Sequence, residues 1–130
     1  MSMNDTLANA LSHILNCEKV GKPECTIKNA SKVIKSVMEI LKSHGYINKI
    51  TSISSEKGDT LVVELKGTIN KCGAIKPRFP VKVSDYEKYE RRYLPAKDFG
   101  VMLVSTTKGI MIHDKAMEAN LGGKLIAYCY

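Results

Sequence analysis

The chain has 130 residues, of which 44% are hydrophobic and 25% charged, with a formal net charge of +7 and a pI near 9.2. That length suits one ordinary domain or two small modules, and the composition calls for a packed core, which excludes wholesale disorder. Its longest apolar runs, such as Val101 to Val104, are far shorter than the about 20 residues of a membrane helix, so no membrane partner is expected.

The start, MSMNDTLANAL, carries Asp5 and no basic region, unlike a secretory signal, so a cytoplasmic chain is expected. Asp5 can cap a helix running to Asn16, with Leu7, Leu11, Ile14 and Leu15 as its apolar stripe. Lys19 to Pro23 breaks that helix, and Glu24 to Lys28 alternates like a short strand. Ser31 can cap a second helix whose buried stripe is Val33, Ile34, Val37, Met38 and Leu41. Lys32, Lys35, Glu39 and Lys42 share its opposite face, the pattern of a solvated surface, and Gly45 stands where a C-terminal cap is wanted. Two strand-like runs, Tyr46 to Ile53 and Thr60 to Leu65, are joined by the turn-rich SSEKGD as a hairpin. The first half therefore reads α-β-α-β-β, a small sheet covered on one side by two helices.

The second half differs in charge and pattern. Residues 1–65 hold eight bases and seven acids, net +1, whereas residues 66–130 hold twelve bases and six acids, net +6. From Lys66 to Lys82 there are five bases and no acid. This asymmetry suits a polyanion, although a solvated basic surface has the same composition. Pro77 and Pro80 flank Arg78 and Phe79 and permit only an edge or bent strand, continued by Val81 and Val83 alternating with Lys82. Tyr86, Tyr89 and Tyr93 follow at helical spacing. VMLVST is a strand ended by Lys108-Gly109 and resumed at Ile110-Met111. A short helix from about Asp114 ends at Gly122-Gly123, and KLIAYCY reads as an alternating final strand. The change of character near residue 68 divides the chain into 1–68 and 69–130.

Catalytic chemistry finds no support. His13, His44 and His113 have no motif partner, nothing pairs Asp98, Asp114 or Glu118, and Asn120 to Gly123 lacks phosphate-loop spacing and reads as a helix cap. Cys17, Cys25, Cys72 and Cys129 form no Cys-x-x-C pair and have no His at ligand spacing, so free, mostly buried thiols are expected, with no metal or cofactor. The sequons at Asn4 and Asn29 are chance matches on a cytoplasmic reading. An enzyme acting on a phosphorylated metabolite would need a pocket of perturbed groups that nothing here announces.

Binding is better served. VSTTKGIM (104–111) sets Ser105, Thr106 and Thr107 at a strand end, followed by Lys108 and Gly109. Hydroxyls donate and accept, so they suit base edges, riboses and phosphates, while an ordinary polar turn has the same make-up. The tyrosines beside Arg91 and Arg92 can stack on unpaired bases or simply pack on the sheet.

The segments NDTLANALSHILN, NASKVIKSVMEILKSHGYI, INKCGAIKPRFPVKV, LPAKDFG and VSTTKGIM with NLGGKLIAYCY, in this order, resemble the small-subunit ribosomal protein eight (S-eight) family across essentially the whole chain. The resemblance is to its eukaryotic and archaeal branch, whose eukaryotic member is called fifteen-a. It implies an α+β fold of two small packed modules, the second mostly β and partly barrel-like with one short helix. It also implies a structural, non-enzymatic role: binding a central-domain helix of small-subunit rRNA during assembly, beside neighbouring ribosomal proteins and without homo-oligomerisation. By position, RNA reading then falls on Ser105, Thr106 and Thr107 with Lys108 and Gly109. Asn9, Asn16, Ser31 and Lys32 match further RNA contacts, and Lys71, Arg78 and Lys82 lie in the matching basic stretch. A free regulator of an mRNA hairpin is the alternative. Three departures stand out. His13 replaces a bacterial Arg, Ile112 replaces a helix-capping Asp or Thr, and Lys124 replaces a bacterial Glu after the glycine pair.

Overall fold

A computed structural model describes residues 6–56, 58–75, 78, 80–96 and 99–130. The expected cap Asp5 and its sequon, Lys57 of the first hairpin, Lys76, Pro77 and Phe79 of the basic stretch, and the carboxylate of Asp98 lie outside those residues. The chain forms two compact units, Met1–Asn70 and Lys71–Tyr130.

In the first unit, α1 (Thr6–Lys19), β1 (Glu24–Ile27), α2 (Lys32–Ser43), β2 (Ile47–Ser55) and β3 (Gly58–Leu65) follow the order that periodicity predicts. The sheet is antiparallel in the order β1-β3-β2. Leu7, Leu11 and Ile14 of α1 and Ile34, Val37, Met38 and Leu41 of α2 are buried with Cys25, Ile27, Ile47, Leu61 and Val63 of the strands. Each aliphatic side chain so buried contributes about 1.5–3 kcal/mol, which sustains helices too short to persist alone. Ser31 caps α2 by accepting the Ile34 N–H at 3.3 Å. Helix α1 runs past the expected Asn16 to Lys19, and α1 and α2 end alike. Lys22 and Tyr46 donate to the carbonyls of Cys17 and Leu41, with Gly21 and Gly45 in the left-handed region between. The hairpin strands also reach further into SSEKGD than expected, since Ser55 pairs with Gly58. A bulge at Asn48 resets the alternation of β2, turning Ile50 toward the core side and Lys49 outward.

The second unit contains β4 (Cys72–Ala74), β5 (Pro80–Val81), a 3₁₀ turn (Val83–Asp85), α3 (Tyr86–Tyr93), β6 (Val101–Thr106), β7 (Gly109–Ile112), α4 (His113–Glu118) and β8 (Gly123–Cys129). It is mostly β, with the short helix α4 and a helix on the tyrosine segment. The antiparallel sheet runs β4-β8-β6-β7, and β5 also pairs with β8. Because β6 occupies one edge of β8, β4 and β5 share the other. Ile75, Val81, Tyr86, Leu94, Met102, Val104, Ala116 and Leu125 form the core.

Four expectations are corrected here. Val83 is not in a strand, because Lys82 begins a 3₁₀ turn in which Asp85 accepts the Lys82 N–H at 3.0 Å. Helix α4 stops at Glu118, not at the glycines: Leu121 donates to the Ala116 carbonyl around a left-handed Asn120. The final strand does not alternate throughout. Leu103 faces Ala127 while Val104 faces Leu125, so Ile126 is an extra, bulged residue. The glycine pair serves close approach. A Cβ on Gly122 would lie 2.6 Å from the Val81 carbonyl oxygen, and one on Gly123 would lie 2.2 Å from that of Ser105. No helix among the described residues is long and apolar enough to cross a membrane.

Candidate nucleic-acid interface

The hairpin of β6 and β7 turns through Thr107 and Lys108, with Thr106 paired to Gly109. Gly109 has φ +113 and open space around it, so glycine is required there by backbone conformation rather than by crowding. The sequence suggests three hydroxyls presented together on a turn. The structure separates them. Ser105 and Thr106 still belong to β6, where successive side chains point to opposite faces. Thr106 follows the face of Met102 and Val104 and is half-buried, and its hydroxyl is committed inside the turn. It donates to the Gly109 carbonyl at 2.8 Å and accepts the Lys108 N–H at 3.1 Å. A hydroxyl has one proton to give, so Thr106 braces the turn. Ser105, Thr107 and Lys108 are exposed.

The bulge at Ile126 shapes what stands beside them. It sets Lys124 opposite Ser105, while Pro80 pairs with Lys124 from the other side. Residues directly opposite in a ladder project on the same face, so the ammonium of Lys124 and the hydroxyl of Ser105 share one face at the sheet's end. Exposed Lys82 and Arg78 flank Pro80 and Val81 in the chain. Sequence reasoning counted Lys124 only as a departure. Strand pairing identifies it, and no spacing in the sequence signals the bulge that creates the pairing.

Lys71 belongs elsewhere. It exchanges backbone hydrogen bonds with Tyr130 at the far end of β8, six residues from Lys124, or about 20 Å along a strand. Asn9, Asn16, Ser31 and Lys32 lie in the first unit and are exposed. Asn9 shares a cleft with Thr6, His13, Thr26, Lys28 and Asn29, and Asn16 lines a second hollow with His13, Val20 and Lys22. Lys32 opens α2 beside the capping Ser31. Lys35 is taken up by an ion pair with Asp59, whose carboxyl is held below its ordinary value by that hydrogen bond first and by the lysine's charge second.

The tyrosines pack. Tyr86 is fully buried and donates to the Leu121 carbonyl at 2.8 Å, and burial raises its pKa. Tyr89 and Tyr93 lean on the same core, with Tyr93 stacked on Tyr128 at 5.5 Å. Sequence reasoning left His113 and the carboxylates unpaired, yet His113 and Glu90 form a buried pair with Nε2 and Oε2 2.7 Å apart. The Met102 N–H donates to His113 Nδ1 at 3.2 Å. Nδ1 therefore carries no proton, and Nε2–H donates to Glu90. This clamp ties α3 and α4 to β6, and Glu90 also lines a hollow with Glu87, Arg91, Leu94, Pro95 and Ala96. The model of one protein family, described as Ribosomal protein S8, matches residues 5–130.

Proposed function

The chain belongs to the ribosomal protein S8 family, and we propose that it is a member of the eukaryotic and archaeal branch that clamps a central-domain helix of small-subunit rRNA during assembly in the cytoplasm. Family membership makes it a structural, RNA-binding constituent of the ribosome and not an enzyme. The finer reading rests on one observation. Exposed Ser105 and Thr107 stand at a braced hairpin end beside Lys108 and the register-matched Lys124. Lys108, Lys124, Lys82 and Arg78 provide attraction through counterion release, which weakens steeply with salt. The hydroxyls then read the edges and riboses of an irregular minor groove, since the major groove of A-form RNA is too narrow to enter. Gly109 keeps the tip slim, and Thr106 keeps it rigid. Asn9, Asn16, Ser31, Lys32 and Lys71 act as additional backbone contacts. Lys124, where bacterial relatives carry an acid, supports the branch.

Co-sedimentation tests this reading against that of a free messenger-RNA regulator. A tagged full-length chain expressed in eukaryotic cells is expected to travel with small subunits through a sucrose gradient, and a Ser105→Ala/Lys124→Gln variant to shift toward the top. Wild-type protein found only at the top, bound to other RNA, contradicts the ribosomal reading.

A further inference from the structure

Helix α1 carries a His-Cys pair that the fold completes with a third ligand. His13 and Cys17 are four residues apart and so share one helix face. Cys25 is an inward-pointing position of β1. The ring nitrogen of His13 and the sulfurs of Cys17 and Cys25 all lie within 4.8 Å of one another. The sequence shows no Cys-x-x-C pair, and Cys25 joins His13 and Cys17 only once β1 packs beside α1.

We propose that His13, Cys17 and Cys25 bind a zinc ion. A tetrahedral zinc site with bonds of about 2.3 Å to sulfur and 2.0–2.1 Å to nitrogen spaces its ligand atoms by roughly 3.5–3.8 Å, so closing on the ion takes a contraction of at most about 1.3 Å. Two thiolates and a neutral imidazole are a soft donor set that favours zinc over the hard cations magnesium and calcium. Binding releases the two thiol protons and leaves the site neutral, since two thiolate charges cancel those of the ion. Both cysteines are buried and His13 is exposed. The fourth position therefore opens on the His13 side, where Asn16, Val20 and Lys22 line a surface hollow, and water fills it. Three protein ligands leave the fourth place to water, unlike a site closed by four protein side chains. The ion would fasten the C-terminal turns of α1 to β1.

Cobalt substitution of the full-length chain, reduced and handled without oxygen, tests this. One cobalt ion per chain is expected, with thiolate-to-cobalt charge-transfer absorption and the intense visible bands of four-coordinate cobalt, both displaced by zinc. His13→Ala changes only an exposed side chain, so the fold persists while the bands weaken and shift. Cys17→Ala removes one of the two thiolates and weakens the charge-transfer band more than His13→Ala does, and Cys72→Ala/Cys129→Ala keeps it. Absence of these bands in wild type, the weak pink spectrum of six-coordinate cobalt, or identical spectra in Cys17→Ala and His13→Ala overturns the proposal.

Discussion

Replacing His113 with leucine removes the group that meets both the Glu90 carboxylate and the Met102 N–H. The side chains of His113 and Glu90 are 1% and 7% exposed, so water cannot replace what is lost. Deleting His113 strands the buried Glu90 carboxylate without its donor, a loss of about 3–5 kcal/mol for an uncompensated buried group of this kind, and an orphaned buried N–H costs about 1–3 kcal/mol. The two losses share one relaxation, so His113→Leu is expected to cost about 3–5 kcal/mol in all. Glu90→Gln keeps an acceptor for Nε2–H and should cost only about 1–2 kcal/mol, the difference between a charge-assisted and a neutral bond. The His113→Leu/Glu90→Leu double variant should recover part of the single loss, because no buried charge is then stranded. Urea unfolding of the full chain, with the slope compared among variants, gives all three values. A His113→Leu cost below about 1 kcal/mol, or a double variant no more stable than His113→Leu alone, would refute the clamp.

Three further outcomes follow from the same geometry. Gly123→Ala must move the Ser105 carbonyl by more than 1 Å to restore the 3.4 Å of ordinary contact; overpacking of this kind costs about 1–3 kcal/mol. Urea midpoints check the cost, and RNA selectivity should fall with it because Ser105 shifts. Lys108→Gln/Lys124→Gln should reduce the slope of log affinity against log salt by about 1.4–1.8, at 0.7–0.9 per phosphate contact, as read by filter binding. The third outcome is a pH dependence. Asp59 titrates below 3.8 in the folded chain because of Lys35. A carboxyl with a depressed folded pKa stabilises above its unfolded value, and that contribution is lost as pH falls through the folded one. The small difference in urea midpoint between wild type and Lys35→Met, present at neutral pH, should therefore vanish on acidification well below 3.8. A difference that persists there would show that Lys35 acts through packing of its stem.

Periodicity carried most of the fold, because apolar stripes such as Ile34, Val37, Met38 and Leu41 report directly which face a helix buries. It failed where register rather than pattern decides. The bulges at Asn48 and Ile126 are invisible to an alternation count, yet the second selects which base stands beside Ser105. Gly122-Gly123 looked like a helix stop because glycine often ends helices. Asn120 takes that role, and the glycines serve strand-to-strand approach that only the folded sheet reveals. The hydroxyl row was legible as composition but not as geometry, since a strand sends neighbouring residues to opposite faces. The Glu90–His113 clamp spans 23 residues, a separation at which no spacing rule operates.

The most direct test of the central claim is binding to a fragment of the small-subunit central-domain rRNA helix and to a plain duplex, across a salt series. Wild type is compared with Ser105→Ala/Thr107→Ala. Two hydroxyl contacts at about 0.5–1.5 kcal/mol each correspond to a loss of about 5- to 150-fold. The account predicts that this loss falls on the fragment alone and leaves the salt slope unchanged. Equal selectivity in the variant, or no preference for the fragment in wild type, contradicts it.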